Sequence, residues 1–253
     1  MEFEVTTLLL LALSALVAGF IDAIAGGGGL ITLPALLAAG LPPAQALGTN
    51  KLQSSFGSFS ATWYFARHGY IDFKTAKWAV LMTFIGSALG TILVQQIDAS
   101  ALNRLLPFLL VGFALYFLLS PRVGDSDSQR RLSVCGFAWT IGLGVGFYDG
   151  FFGPGTGSFF AIGFVALAGF NLAKATAHSK LLNFTSNVAA LIFFALGGKL
   201  VWIVGLFMAV GQFIGARLGS KMVIKQGGRL IRPLVVIMSL LMSAKLLWQH
   251  YGA

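Results

Sequence analysis

The sequence predicts an all-α polytopic membrane protein, built as two inverted repeats of about five helical segments each, with one short or broken segment per repeat. Three observations predict this. Hydrophobic residues make up 57% of the 253 positions and charged residues only 10%, against about 25% charged in an ordinary soluble domain. Apolar stretches recur along the whole chain with short polar breaks. Finally, a set of motifs in the first half returns in the same order in the second. So little charge cannot clothe a water-facing surface, which excludes a soluble enzyme, a disordered chain and a nucleic-acid-binding domain. The net charge of +9 then marks membrane topology rather than a nucleic-acid partner, because Lys and Arg accumulate in cytoplasmic loops.

The apolar segments fall near 5–24, 30–40, 44–66, 77–97, 102–120, 132–149, 158–170, 174–196, 200–220 and 231–249. Crossing about 30 Å of hydrocarbon takes about 20 helical residues. Segments 30–40 and 158–170 are too short to cross alone, and each follows a glycine-rich run, so they read as half helices. Segment 5–24 ends on Ala23-Ile24-Ala25, which mimics a signal-peptidase site, yet its head carries Glu2 and Glu4 rather than Lys or Arg. It also has a copy in mid-chain, and a copy there cannot be a leader.

That copy defines the repeat. Gly19-Phe20-Ile21-Asp22 returns as Gly146-Phe147-Tyr148-Asp149, and four residues after each Asp a glycine run begins, Gly26 to Gly29 and Gly153 to Gly157. Thr49-Asn50-Lys51-Leu52 matches His178-Ser179-Lys180-Leu181. Phe84-Ile85-Gly86-Ser87-Ala88-Leu89-Gly90 matches Phe213-Ile214-Gly215-Ala216-Arg217-Leu218-Gly219. Ordered matches over nearly the whole chain indicate a duplicated unit: repeats at 1–120 and 132–253, joined by a polar linker at 121–131. With five passes per repeat and the N-terminus outside, Arg67, Lys74, Lys77 and Arg122 fall on the cytoplasmic side together with Arg130, Arg131 and Lys174. Arg217, Lys221, Lys225, Arg229 and Arg232 join them. Only Arg104, Lys199 and Lys245 fall outside. The expected location is the inner (plasma) membrane. An odd number of passes inverts the second repeat, whereas two re-entrant short segments would leave four passes per half and parallel repeats; inverted repeats with broken segments in matching positions place a substrate near the break.

Six of the eight acidic residues lie in loops or the tail. Asp22 and Asp149 alone sit in or at the end of apolar spans, where a carboxylate is costly and functional by default. Two compatible roles are open to them, capping the glycine turns and carrying a coupling proton. Lys51 and Lys180 are the matching cations, each about seven residues into a long helix. Thr49, Asn50 and Ser54 flank one; His178, Ser179 and Asn183 flank the other. Snorkelling to an interface is one reading; an anion site is the better one, since charge and polar neighbours recur together in both halves. Backbone N–H groups of Gly27, Gly28 and Gly155, at the starts of the short helices, would complete the cage. No Gly-Lys-Ser/Thr follows either run, so neither is a nucleotide loop. Cys135 is the single cysteine and the three histidines are far apart, so no metal site, cofactor or catalytic constellation is expected. The Gly-x3-Gly pairs 86/90, 142/146 and 215/219 are packing motifs, within the protomer or in a homodimer.

At Gly19-Phe20-Ile21-Asp22 and its glycine run, followed by Gly48-Thr49-Asn50-Lys51 and the second-half copy, the chain resembles the sulfite exporter TauE/SafE family. The resemblance covers almost the whole chain. It implies export of sulfite, sulfonates or related small anions across bacterial inner membranes, with Asn50 and Lys51 on the first motif and Ser179 and Lys180 on the second. His178 in place of Thr49, and Pro154 within the second glycine run, make the two half-sites unequal. A passive channel of the same fold, or a non-transporting membrane subunit, are the alternatives. The bilayer and a small anion are the expected partners.

Overall fold

A computed structural model describes residues 3–98, 100 and 129–226. The expected spans at 102–120 and 231–249, and linker residues 121–128, lie outside the described residues. The rest is helical, with no strand among the described residues. The helices are α1 (Val5–Ala25), α2 (Gly29–Ala38), α3 (Pro43–Arg67) and α4 (Phe73–Val94). The second half continues with α5 (134–151), α6 (Thr156–Ala166), α7 (Leu172–Leu196) and α8 (Trp202–Gln226). Each expected segment among the described residues is present, and both short segments, 30–40 and 158–170, are short helices, α2 and α6. A π-helical turn, Ala138–Gly142, lies within α5.

Among the described residues four helices, α1, α4, α7 and α8, are long and apolar enough to cross a membrane. α3 is just as long but too polar to count among them. Its Thr49, Asn50, Lys51, Gln53, Ser55 and Ser58 are all buried, because α1, α2, α7 and α8 pack around it. The outer helices instead turn apolar side chains outward, as Leu9, Leu10 and Leu13 of α1 and Ile203, Leu206 and Val210 of α8 show. That surface suits lipid, and it explains how a chain with so little charge remains ordered.

Small residues hold the helices together. In lipid the hydrophobic effect gives helices little reason to associate, so close packing and interhelical hydrogen bonds must supply it. A Cβ at Gly86 or Gly90 would collide with the Leu143 or Phe147 carbonyl oxygen, and one at Gly150 with that of Ser87. The mirror seam joins α1 to α8, where Gly211, Gly215 and Gly219 face the carbonyls of Ala12, Leu16 and Phe20. All three Gly-x3-Gly pairs therefore serve helix packing inside one chain. Hydroxyls reinforce the seams: Thr83 donates to the Gly142 carbonyl at 3.2 Å and Thr91 to that of Gly150 at 3.1 Å.

Contact order along these seams gives helix direction. Ala12, Leu16 and Phe20 meet Gly211, Gly215 and Gly219 in rising order, so α1 and α8 run parallel; α4 and α5 do likewise. α3 and α7 are antiparallel. Thr49, near the start of α3, accepts from Val201 N–H just beyond the end of α7, while His178, near the start of α7, accepts from Asp72 N–H just beyond the end of α3. Lys199, against Gly48 near the start of α3, lies at one end of the bundle, and a group of basic residues gathers at the other. Arg217 lies over the Tyr64 ring, Arg131 N–H bonds the Leu167 carbonyl, and Arg130 lines a small pocket with Thr75 and His178.

Candidate functional site

The two glycine runs meet at the centre of the bundle. Gly26 ends α1 in a left-handed conformation (φ +81°), and Gly155 precedes α6 at φ +84°, a region in which side chains are strained. A Cβ at Gly26 would run into the backbone of Gly157 and Ser158, so the runs touch directly. Ser158 Oγ donates to the Ala25 carbonyl across this contact. α2 and α6 each begin here, and each folds back beside the helix before it.

Asp22 closes the last turn of α1, and its Oδ1 accepts from Gly28 N–H at 3.1 Å. Asp149 holds the equivalent place in α5, and its Oδ1 accepts from Thr156 Oγ at 2.7 Å. The lysines reach the opposite halves. Lys51 on α3 pairs with Asp149 at 2.8 Å, and Lys180 on α7 pairs with Asp22 at 3.0 Å and also donates to the Asp22 carbonyl. Both lysines are 1% exposed. A Cβ at Gly153 would stand 2.6 Å from Lys51 Nζ, and one at Gly157 2.9 Å from Lys180 Nζ. Glycine leaves room where each ammonium passes the backbone, and it is favoured further by φ +101° at Gly153 and by the Gly26 backbone 2.7 Å from a Cβ at Gly157.

Between the pairs lies a cavity of about 20 Å³, enough for a water molecule. Of the expected site residues, Lys51, Asn50, Asn183, Gly155, Asp22 and Asp149 line it. Lys180 joins the cluster through Asp22 and Gly157. The structure places the others elsewhere. Thr49 is spent on Val201 N–H, and Ser179 Oγ donates to the Thr176 carbonyl. His178 bridges Asp72 N–H and the Lys174 carbonyl, wedged against Phe164 and Phe170. Gly27 and Gly28 sit beside the cavity wall, which Gly26 and Gly29 form instead.

Sequence reading missed Asn187 and Thr156 and left Ser54 as a mere neighbour of Lys51; all three line the cavity. Their spacing could have found two of them. Asn50 and Ser54, like Asn183 and Asn187, are four residues apart and so share a helix face. Asn50 Oδ1 accepts from Thr32 Oγ at 2.6 Å and Gln53 Nε2 at 2.9 Å, and Asn183 Oδ1 accepts from Asn187 Nδ2 at 3.1 Å.

The motif-bearing residues at this site are those that carry the sequence resemblance, and comparison with known proteins agrees. The family model described as sulfite exporter TauE/SafE matches residues 11–246. The chain belongs to the sulfite exporter TauE/SafE family. This TauE/SafE protein is 56% identical over 252 residues to probable membrane transporter protein YfcA of Escherichia coli (strain K12), covering 99% of this chain and 94% of that one. It is 50% identical over 255 residues to a probable membrane transporter protein of Haemophilus influenzae, covering 99% of this chain and all of the relative. YunE of Bacillus subtilis, similarly named, is 21% identical over 265 residues. No solved structure matches the chain. As a TauE/SafE member the chain is a membrane transporter and not an enzyme.

Proposed function

We propose that this protein exports a small sulfur-containing anion, such as sulfite or a sulfonate, by alternating access, with the anion bound between the two repeats at the central cavity. The observation that carries the reading is the pair of buried Lys–Asp bridges, each tying one half of the chain to the other beside the cavity. An element that moves one half against the other must rearrange these contacts, and a freed lysine is a ready partner for an anion. The asparagines favour an anion over a cation. Asn50 Oδ1 already takes two donors, so its N–H groups are what it has left to offer, and Asn183 Oδ1 takes one, from Asn187 Nδ2. The family name supplies the sulfur chemistry.

The antiparallel course of α3 and α7, whose lysine motifs match, supports an inverted duplication. The basic end of the bundle supports a cytoplasmic assignment for that end in the inner membrane, with the N-terminus outside.

Flux of sulfite or methanesulfonate in proteoliposomes tests the site. Lys51→Ala and Lys180→Ala should each lower flux about tenfold or more, as expected when a charge-assisted contact of about 1.5–3 kcal/mol is lost. Wild-type flux and affinity in both variants, in protein that stays monodisperse, would refute the assignment.

A further inference from the structure

The two ion pairs are repeat-related but unequal. Asp22 is fully engaged: Oδ1 takes Gly28 N–H, Oδ2 takes Lys180, and its side chain is 13% exposed. Asp149 is buried more deeply, its side chain 2% exposed, and Oδ1 alone takes both Lys51 and Thr156. Oδ2 of Asp149 is buried and has no hydrogen-bond partner among the described residues. A carboxylate oxygen in that state carries a full desolvation cost.

Charge adds a second constraint. Asp149 pairs with Lys51 from α3 and shares the cavity wall with Asp22 from α1, which is itself paired with Lys180 from α7; Tyr148 adjoins it on α5, and Ser87 and Thr91 of α4, which lie against the next residue Gly150, are neutral. Two lysines and two aspartates cancel. A monoanion entering this buried, neutral cluster would leave a net charge of −1 there, which is unfavourable away from water. A proton entering with it restores neutrality.

We propose that the anion binds together with one proton, and that the proton resides on Asp149 Oδ2, where the orphan acceptor becomes an O–H donor to the anion. This rests on the anion reading above. Neutrality then selects monoanions over dianions, and transport of a monoanion moves no net charge. Direction follows the combined anion and proton gradients, so export requires an outward anion gradient larger than the inward proton gradient.

Methanesulfonate and isethionate, whose single charge does not change with pH, are the probes. Binding to purified wild-type protein should weaken about tenfold per pH unit between pH 6 and 8, and each anion bound should remove one proton from weakly buffered solution, since coupling between two ligands is reciprocal. Asp149→Asn, which carries a permanent N–H donor, should lose that pH slope. A pH-independent wild-type affinity without proton uptake would overturn the proposal and leave the anion reading standing. So would a slope kept in Asp149→Asn. Should Asp149→Asn fail to fold, the wild-type proton count decides alone. If neither sulfonate nor sulfite binds at any pH, the anion reading fails and the proposal falls with it.

Discussion

Single residues in this protein do very different work at similar burial. Lys51 and Lys180 are buried cations with carboxylate partners, whereas His178, equally buried, is a structural pin between α7 and the turn after α3. Asp72 shows how a lone carboxylate sets a helix start. It caps α4, accepting from Lys74 N–H at 2.9 Å and Thr75 N–H at 3.4 Å. Desolvation raises its pKa, but the bonds from Thr75 and from the Lys74 and Thr75 N–H groups outweigh that and hold it below the ordinary 3.8. A depressed folded value means a contribution to stability that is present above 3.8 and is lost as pH falls through the folded value. Asp72→Ala should therefore melt below wild type at pH 7, and the gap should narrow as pH falls below 3.8 and through the folded value. A gap that does not narrow on acidification would show that the capping charge is not its source.

At the scale of helices, stability depends on glycine where backbone meets backbone. Gly150 of α5 lies against the Ser87 carbonyl, while Gly144, two turns earlier on the same helix, has open space around its Cβ position. Gly150→Ala must push α5 from α4 and should cost about 1–3 kcal/mol or more, seen as a lower melting temperature in detergent. Gly144→Ala should melt at or slightly above wild type, because Ala is the better helix former. Equal effects of the two would contradict the seam. Helix existence was largely legible in the sequence, since length and apolarity decide it. α3 is the exception in kind. Its polar face looked like a membrane span interrupted by a site, and the surrounding helices explain why it can be polar along its whole length.

For the whole molecule, the two halves are locked by exchange. Each lysine answers the aspartate of the other half, so the bridges resist separation of the halves as well as framing the cavity. Removing one partner strands a buried charge, which costs about 3–5 kcal/mol, whereas replacing both is often neutral. Lys51→Met should thus destabilise the protein strongly, and Lys51→Met with Asp149→Asn should recover most of the melting temperature while flux stays lost. Recovery of flux with stability would mean that Lys51 is a structural tie and nothing more.

The sequence by itself determined the membrane class and the helical segments, and it singled out the four charged residues that the structure joins in two ion pairs, because hydropathy, spacing and recurrence are local properties of the chain. It also singled out Asn50, Asn183 and the glycine turns. It could not tell that Lys51 faces Asp149 rather than Asp22, that Thr49, Ser179 and His178 are spent elsewhere, or that Asn187 and Thr156 join the cavity wall. Those depend on which helices become neighbours, and in this bundle that is settled by backbone-to-backbone contact at glycines 19, 86, 90, 150, 211 and 215. The inequality of the two aspartates is likewise tertiary: the same residue, at the same place in each repeat, meets a different set of donors.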